Sequence, residues 1–154
     1  MSGGMTFRAG VGAVVINADG EVLACERADV PGAWQLPQGG LASDEAPRDA
    51  ILRELWEETG LRPSSVEILD EYPEWLAYEH PPENRRPEHG LGQVQRWFLM
   101  RFSGSDSDID VEGAETPEFR SFRWMRLSDL TDATIAYRQP TYTKLGDRFA
   151  AHLS

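Results

Sequence analysis

Apolar residues fall in two rhythms along the chain, and their alternation outlines the elements. Residues 9–27, AGVGAVVINADGEVLACER, read as a β-hairpin: a β-branched run, an Asp-Gly turn signal and a second alternating run. Three prolines and three glycines mark residues 28–47, ADVPGAWQLPQGGLASDEAP, as a loop. A helix is expected over about 45–59, with Asp44 as N-cap, Pro47 in the first turn and Gly60 ending it. Residues 66–78 read as a strand with an irregular continuation, and 79–92 as a proline-rich loop. The run QVQRWFLMRFSG is apolar enough for a central strand. An acidic loop follows over 105–119, with room for a short strand. Then come a strand within 120–130 and a C-terminal helix over 134–153. Strands with two separated helices and no dividing linker predict one α/β layered domain across 1–154, its first six residues loose.

The expected helix carries an unusual charge pattern. Glu54, Glu57 and Glu58 stand at i, i+3 and i+4, so their carboxylates share one face. Ile51 with Leu55, and Leu52 with Trp56, are i, i+4 pairs that can bury other parts of the circumference. Like charges at these spacings destabilise a helix by ~0.2–0.5 kcal/mol per pair. A divalent cation reverses the sign, because hard cations take carboxylate oxygens and share them with substrate phosphate. An acidic stripe is otherwise a solvated face, so the stripe alone leaves both readings open.

Composition narrows the chemistry. The 154 residues suit one hydrophobic core, and no apolar run approaches the ~20 residues of a membrane span. The N-terminus lacks the pattern of a signal peptide, so a soluble, cytoplasmic protein is expected. Cys25, the sole cysteine, sits in a strand-like alternation and reads as a small buried filler. His80, His89 and His152 lack the spacing of a zinc site. A net charge of −11 disfavours DNA and non-specific nucleic-acid binding. Residues 106–118 suggest a calcium loop, but its sixth and twelfth places hold Val111 and Pro117, so the EF-hand pattern fails.

Residues 39–61 settle which stripe this is. Gly39, five residues, Glu45, seven residues, Arg53-Glu54-Leu55, one residue, Glu57-Glu58, one residue and Gly60-Leu61 match the Nudix box without departure. The chain thus resembles the Nudix hydrolases, which implies an α/β/α sandwich with a mixed sheet and a domain that hydrolyses nucleoside diphosphates linked to another group. The resemblance also implies Mg²⁺ or Mn²⁺, two or more ions. Glu54, Glu57 and Glu58 look like the ligands, with a backbone carbonyl from Gln38 or Gly39. Arg53 looks like the partner that orients the glutamates, with Glu45 as a supporting acid.

Beyond the box, GAWQLPQGG resembles the SWQFPQGG stretch of bacterial RNA 5′-pyrophosphohydrolases and of plant-type dinucleoside polyphosphate hydrolases. WLAY at 75–78, GQVQRWFL at 92–99, TPEF at 116–119 and FRWM at 122–125 follow in the same order, over about residues 8–145. The subgroup implies Glu118 as a distal acid, ligand or general base, with Glu57 the other candidate base. It also implies phosphate or base contacts from Arg8, Arg27, Tyr78, Tyr137 and Arg138, types that suit phosphate pairing and base stacking. The expected substrate is a dinucleoside polyphosphate or the 5′ end of RNA; no protein partner is indicated. One departure stands out: the loop at 79–90, basic in RNA-acting relatives, holds three glutamates against Arg85 and Arg86, which argues against long RNA. Hydrolysis of free or damaged nucleoside triphosphates or nucleotide sugars, and a non-catalytic nucleotide sensor, are the competing expectations.

Overall fold

The computed structural model describes residues 6–85, 90–114 and 116–154. The tail 1–5, Arg86 and His89 lie outside the described residues. Eight strands share one sheet: β1 (Phe7–Ile16), β2 (Val22–Arg27), β3 (Trp34–Gln35), β4 (Gln38–Gly40), β5 (Val66–Glu71), β6 (Leu76–Glu79), β7 (Gly92–Phe102) and β8 (Phe119–Met125). The helices are α1 (Pro47–Thr59), α2 (Leu127–Ala133) and α3 (Gln139–Arg148). Strand order runs β3-β2-β1-β7-β5, with β4 on β1, β6 on β7 and β8 on β2. β1 and β7 are parallel over ten register pairs, and the remaining pairings are antiparallel, so the sheet is mixed as expected.

Side chains alternate along each strand, so the two faces build two cores. Val11, Ala13, Val15, Phe98 and Met100 pack on Ala50, Ile51 and Leu55 of α1. Val14, Ile16, Trp97 and Leu99 pack on Leu127 and Leu130 of α2 and on Tyr142 and Leu145 of α3. Each fully buried large side chain contributes about 1.5–3 kcal/mol. The result is the α/β/α sandwich, with α1 alone on one face. Cys25 is fully buried in the α1 core, as a filler should be. Among the described residues no helix is long and apolar enough to cross a membrane.

The structure corrects four sequence expectations. Asp44 is not the N-cap: Ala46 precedes Pro47 with extended angles (φ −71°, ψ 142°), as the residue before a proline prefers, so the helix cannot begin earlier. The 28–47 loop contains β3, which folds back on the nearby β2, and β4, whose partner β1 is distant in sequence. α2 was not expected, and the C-terminal helix starts at Gln139, after a 3₁₀ turn over Ala136–Arg138. Trp56 is 48% exposed, with the Arg62 guanidinium 5.9 Å from its ring, while Ile51 and Leu55 are buried. Gly60 closes α1 as expected, in the left-handed region at φ 74°.

The β1–β2 hairpin is paired at Ile16 and Val22, and Asn17 Oδ1 accepts from the amides of Asp19 and Glu21 across its turn. Toward their other ends the strands part, and β4 takes the place beside β1 as far as Gly10. This fork in the sheet is where the box residues gather.

Candidate active site

β4 sets the site. Its register against β1 is Gly12↔Gln38, Val11↔Gly39 and Gly10↔Gly40, so Gln38 and Gly39 face opposite layers. On the α1 face a Cβ at Gly39 would collide with the Glu54 carboxylate, so glycine is required for that carboxylate to reach the strand. On the other face Gln38 Nε2 donates to Tyr78 Oη at 3.3 Å.

Arg53 organises the acids of α1. Its Nε and Nη2 donate to the two oxygens of Glu45, both at 2.8 Å. Nη1 donates to Glu54 at 2.9 Å and to Glu57 at 3.2 Å, and Nη2 to the Gly40 carbonyl at 3.1 Å. The guanidinium holds Glu45 below the usual carboxylate range and ties the helix to the end of β4.

Glu58 is buried, and the carboxylates of Glu54 and Glu118 are near enough to act on its charge. Burial first, then the charges of Glu118 and Glu54, push its carboxyl up to about 11. Burial also raises Glu54, against the opposing pull of Arg53. Glu58 Oε2 is buried with no donor in reach. A buried carboxylate oxygen without a donor, beside two further carboxylates, is the donor set that a hard divalent cation takes. Among the described residues no group of three acid, histidine or cysteine side chains is arranged to hold a metal ion by itself. An open set suits Mg²⁺, which keeps several waters and shares its site with phosphate.

The structure thus brings Glu54, Glu58 and Glu118 together and links Glu57 and Glu45 through Arg53. Glu57 is 54% exposed and turns outward toward Arg53 instead of joining Glu58. Glu118 is exposed, and its backbone carbonyl accepts from Ala28 N at 2.8 Å, just beyond the end of β2.

Across the sheet lies an aromatic cluster. Tyr78 and Tyr137 stack with centroids 5.2 Å apart at 28°. His80 meets both edge-on at 5.6 and 5.7 Å. The Arg138 guanidinium lies 5.3 Å from the Tyr137 ring and 5.9 Å from that of Tyr78. Arg138 is buried, and its Nε lacks an acceptor. Tyr142 Oη, beneath, accepts from Leu36 N at 2.8 Å and steadies the approach to β4. Arg8 is exposed on β1 and lies in one register row with Gln93 and Tyr78, on the face of the cluster, whereas Arg27 is engaged with Asp29 at 3.0 and 2.7 Å.

Sequence reasoning passed over Gln38, as a side chain, and Gln93 with Gln95. Gln93 is the register partner of Tyr78, and Gln95 donates to Gln93 at 3.2 Å. Their signal was present: Gln93, Gln95 and Trp97 alternate along β7 and therefore share a face.

Comparison with known proteins identifies the family of this fold. Residues 6–145 match the NUDIX domain. An RNA pyrophosphohydrolase of Roseobacter denitrificans is 42% identical, over 97% of this chain and 95% of the relative. Nudix hydrolase 26, chloroplastic, of Arabidopsis thaliana is 37% identical, over 96% of this chain and 71% of the relative. Among solved structures, a C. elegans Ap4A hydrolase binary complex superposes with a TM-score of 0.71 at 20% identity, covering 94% of this chain and 98% of that one. At that identity the likeness concerns the fold. A domain match running from the start of β1 into α3, with near full-length relatives at about this level, leaves one assignment: the chain belongs to the NUDIX family, as one of its hydrolases.

Proposed function

We propose that this chain is a single cytoplasmic domain that cleaves a phosphoanhydride bond at the 5′-triphosphate end of RNA, using two or more Mg²⁺ or Mn²⁺ ions. The observation that carries this reading is the meeting of Glu54, Glu58 and Glu118 beside Gly39, with the Glu58 oxygen left without a donor. The RNA pyrophosphohydrolases at about 40% identity support the substrate.

Glu54, Glu58 and Glu118, with the carbonyl of Gln38 or Gly39, would hold the cations, and Glu57 would complete the set from the rim. Bound divalent cations supply charge neutralisation for the polyphosphate and Lewis acidity toward an attacking water. Arg53, fixed by Glu45, keeps the carboxylates aimed at one place. Glu57 or Glu118 takes the proton from the water. Tyr78 and Tyr137 offer ring faces to a nucleobase. Arg138, Arg8 and Arg27 pair with phosphate or base edges. Arg27 exchanges Asp29 for its ligand when it does so.

A second reading, hydrolysis of dinucleoside polyphosphates, is favoured by the net charge of −11 and by the acidic loop after β6, both unfavourable to long RNA. The deciding experiment compares a 5′-triphosphorylated oligonucleotide, diadenosine tetraphosphate and free nucleoside triphosphates under Mg²⁺ and Mn²⁺, for wild type and Glu57→Gln. Preference for the oligonucleotide, with turnover collapsing in the variant, is the expected result. Preference for diadenosine tetraphosphate selects the second reading. A variant as active as wild type removes Glu57 from the chemistry, and binding without any turnover marks a nucleotide sensor.

A further inference from the structure

Glu118 is presented by an unusual junction. It is the last residue before β8, on a segment exposed to solvent, and its side chain must reach Glu58 to share the site. Its own tether is one backbone hydrogen bond, from Ala28 N to the Glu118 carbonyl at 2.8 Å. Ala28 lies just past the point where the register of β2 against β8 shifts, between Glu26 and Arg27. A carboxylate needed at one place is thus attached to a strand end where the ladder is irregular.

Glu26 closes this junction from the opposite face. Its register partner on β3 is Trp34, which packs against the α2–α3 core, whereas Glu118 reaches toward α1. Glu26 Oε2 accepts from Gly32 N at 2.8 Å, gripping the 28–33 turn. Glu26 Oε1 accepts from Ser121 Oγ at 2.6 Å, gripping β8 three residues beyond Glu118. Arg120 Nε lies 3.6 Å from the same oxygen. Arg27 N donates to Ala33 O at 2.9 Å and closes the base of the turn. One carboxylate therefore joins β2, the turn that carries Ala28, and the strand that follows Glu118. The charge is well supplied with donors: the Ser121 hydroxyl first, then the Gly32 amide, hold Glu26 below the usual carboxylate range.

We propose that Glu26 is a positioning residue for Glu118, acting through the Ala28 and Ser121 junction to hold that acid against Glu58. The proposal rests on the role given to Glu118 above. Groups that orient the ligands of a metal site typically change metal affinity or activity by about 10- to 100-fold when removed.

Three measurements test it on the full chain. Amide hydrogen exchange of Ala28, without metal or substrate, is compared in wild type, Glu26→Ala and Glu26→Gln. Mn²⁺ affinity is read by paramagnetic resonance in the same proteins. Turnover is measured for Glu26→Ala in the wild-type and Glu118→Gln backgrounds. Expected are faster Ala28 exchange, weaker Mn²⁺ binding and about tenfold lower kcat with little change in KM for Glu26→Ala. Glu26→Gln restores these values, because its amide accepts from Gly32 and donates to Ser121. Once Glu118→Gln is present, Glu26→Ala adds nothing. An equal loss in both backgrounds, or an unchanged Ala28 amide, overturns the proposal. A fully active Glu118→Gln overturns the role of Glu118 itself, whereas the Ala28 amide reports on the clamp independently. Should Glu26→Ala fail to fold, Ser121→Ala cuts one arm and is expected to change Ala28 exchange and kcat in the same direction; wild-type values in both would overturn the clamp.

Discussion

Gly39→Ala is the sharpest test of how the site is built. Gly39 is not in the left-handed region, so alanine is compatible with its backbone. The new methyl would fall onto Cγ, Cδ and Oε2 of Glu54. Glu54 would have to withdraw by about an ångström, pulling against its 2.9 Å bond to Arg53. A misplacement of about 1 Å costs roughly 10²-fold in rate, or about 2.7 kcal/mol in the barrier. The fold should survive, because the collision is with a side chain at the rim of the core. The contrast is Gly40→Ala, whose methyl meets open space. Steady-state release of phosphate or pyrophosphate from a 5′-triphosphorylated oligonucleotide gives kcat, and thermal unfolding gives stability. Expected is a loss of about 10²-fold in kcat for Gly39→Ala with a near-native melting curve, against most of the turnover retained by Gly40→Ala. Equal turnover in the two variants would show that the Glu54–Gly39 approach has no part in catalysis.

Arg53→Lys keeps the charge but cannot span Glu45, Glu54, Glu57 and the Gly40 carbonyl at once, so kcat should fall by about 10- to 100-fold while the protein stays folded. Glu58→Gln should melt close to wild type at neutral pH without metal, because burial and the charges of Glu118 and Glu54 push the wild-type carboxyl up, toward its neutral form. It should lose the stabilisation that Mn²⁺ gives wild type, about 2.7 kcal/mol at a hundred times Kd; an undiminished Mn²⁺ shift would remove Glu58 from the ligand set. Burial raises Tyr142 from 10.0 up to about 12. The unfolded chain therefore releases that proton first as pH rises, and stability drops between about pH 10 and 12 by on the order of 2–3 kcal/mol. Denaturant titrations should show this alkaline loss shrinking in Tyr142→Phe, which is less stable at neutral pH because the Leu36 amide loses its acceptor; an unchanged alkaline slope would refute the assignment.

Local signals and distant pairings separate what the sequence disclosed from what it concealed. α1 was legible because Pro47, the buried Ile51 and Leu55, and Gly60 act within a few residues of one another. β4 was not, since its three residues are a strand only by virtue of β1, almost thirty positions earlier. α2 escaped because only Leu127 and Leu130 bury themselves in its short polar stretch. At the site, helical spacing placed the three glutamates on one face but did not foresee that Arg53 draws Glu57 outward while Glu58 turns toward Glu118. Tyr78 and Tyr137 are visible in the sequence only as separate aromatics; their stacking depends on a 3₁₀ turn folding back onto β6. Glu26 gave no signal, because a lone glutamate at a strand end acquires meaning only from the partners that tertiary structure supplies.

The brevity of β4 has an evolutionary and engineering consequence. Gln38, Gly39 and Gly40 are each committed, to Tyr78, to Glu54 and to Arg53. Inserting or deleting one residue there would invert which layer each of them serves, and no repacking nearby could compensate. Changes of chain length must therefore be confined to the flanking turns, and a designer grafting a new specificity onto this scaffold has to keep that tripeptide in frame.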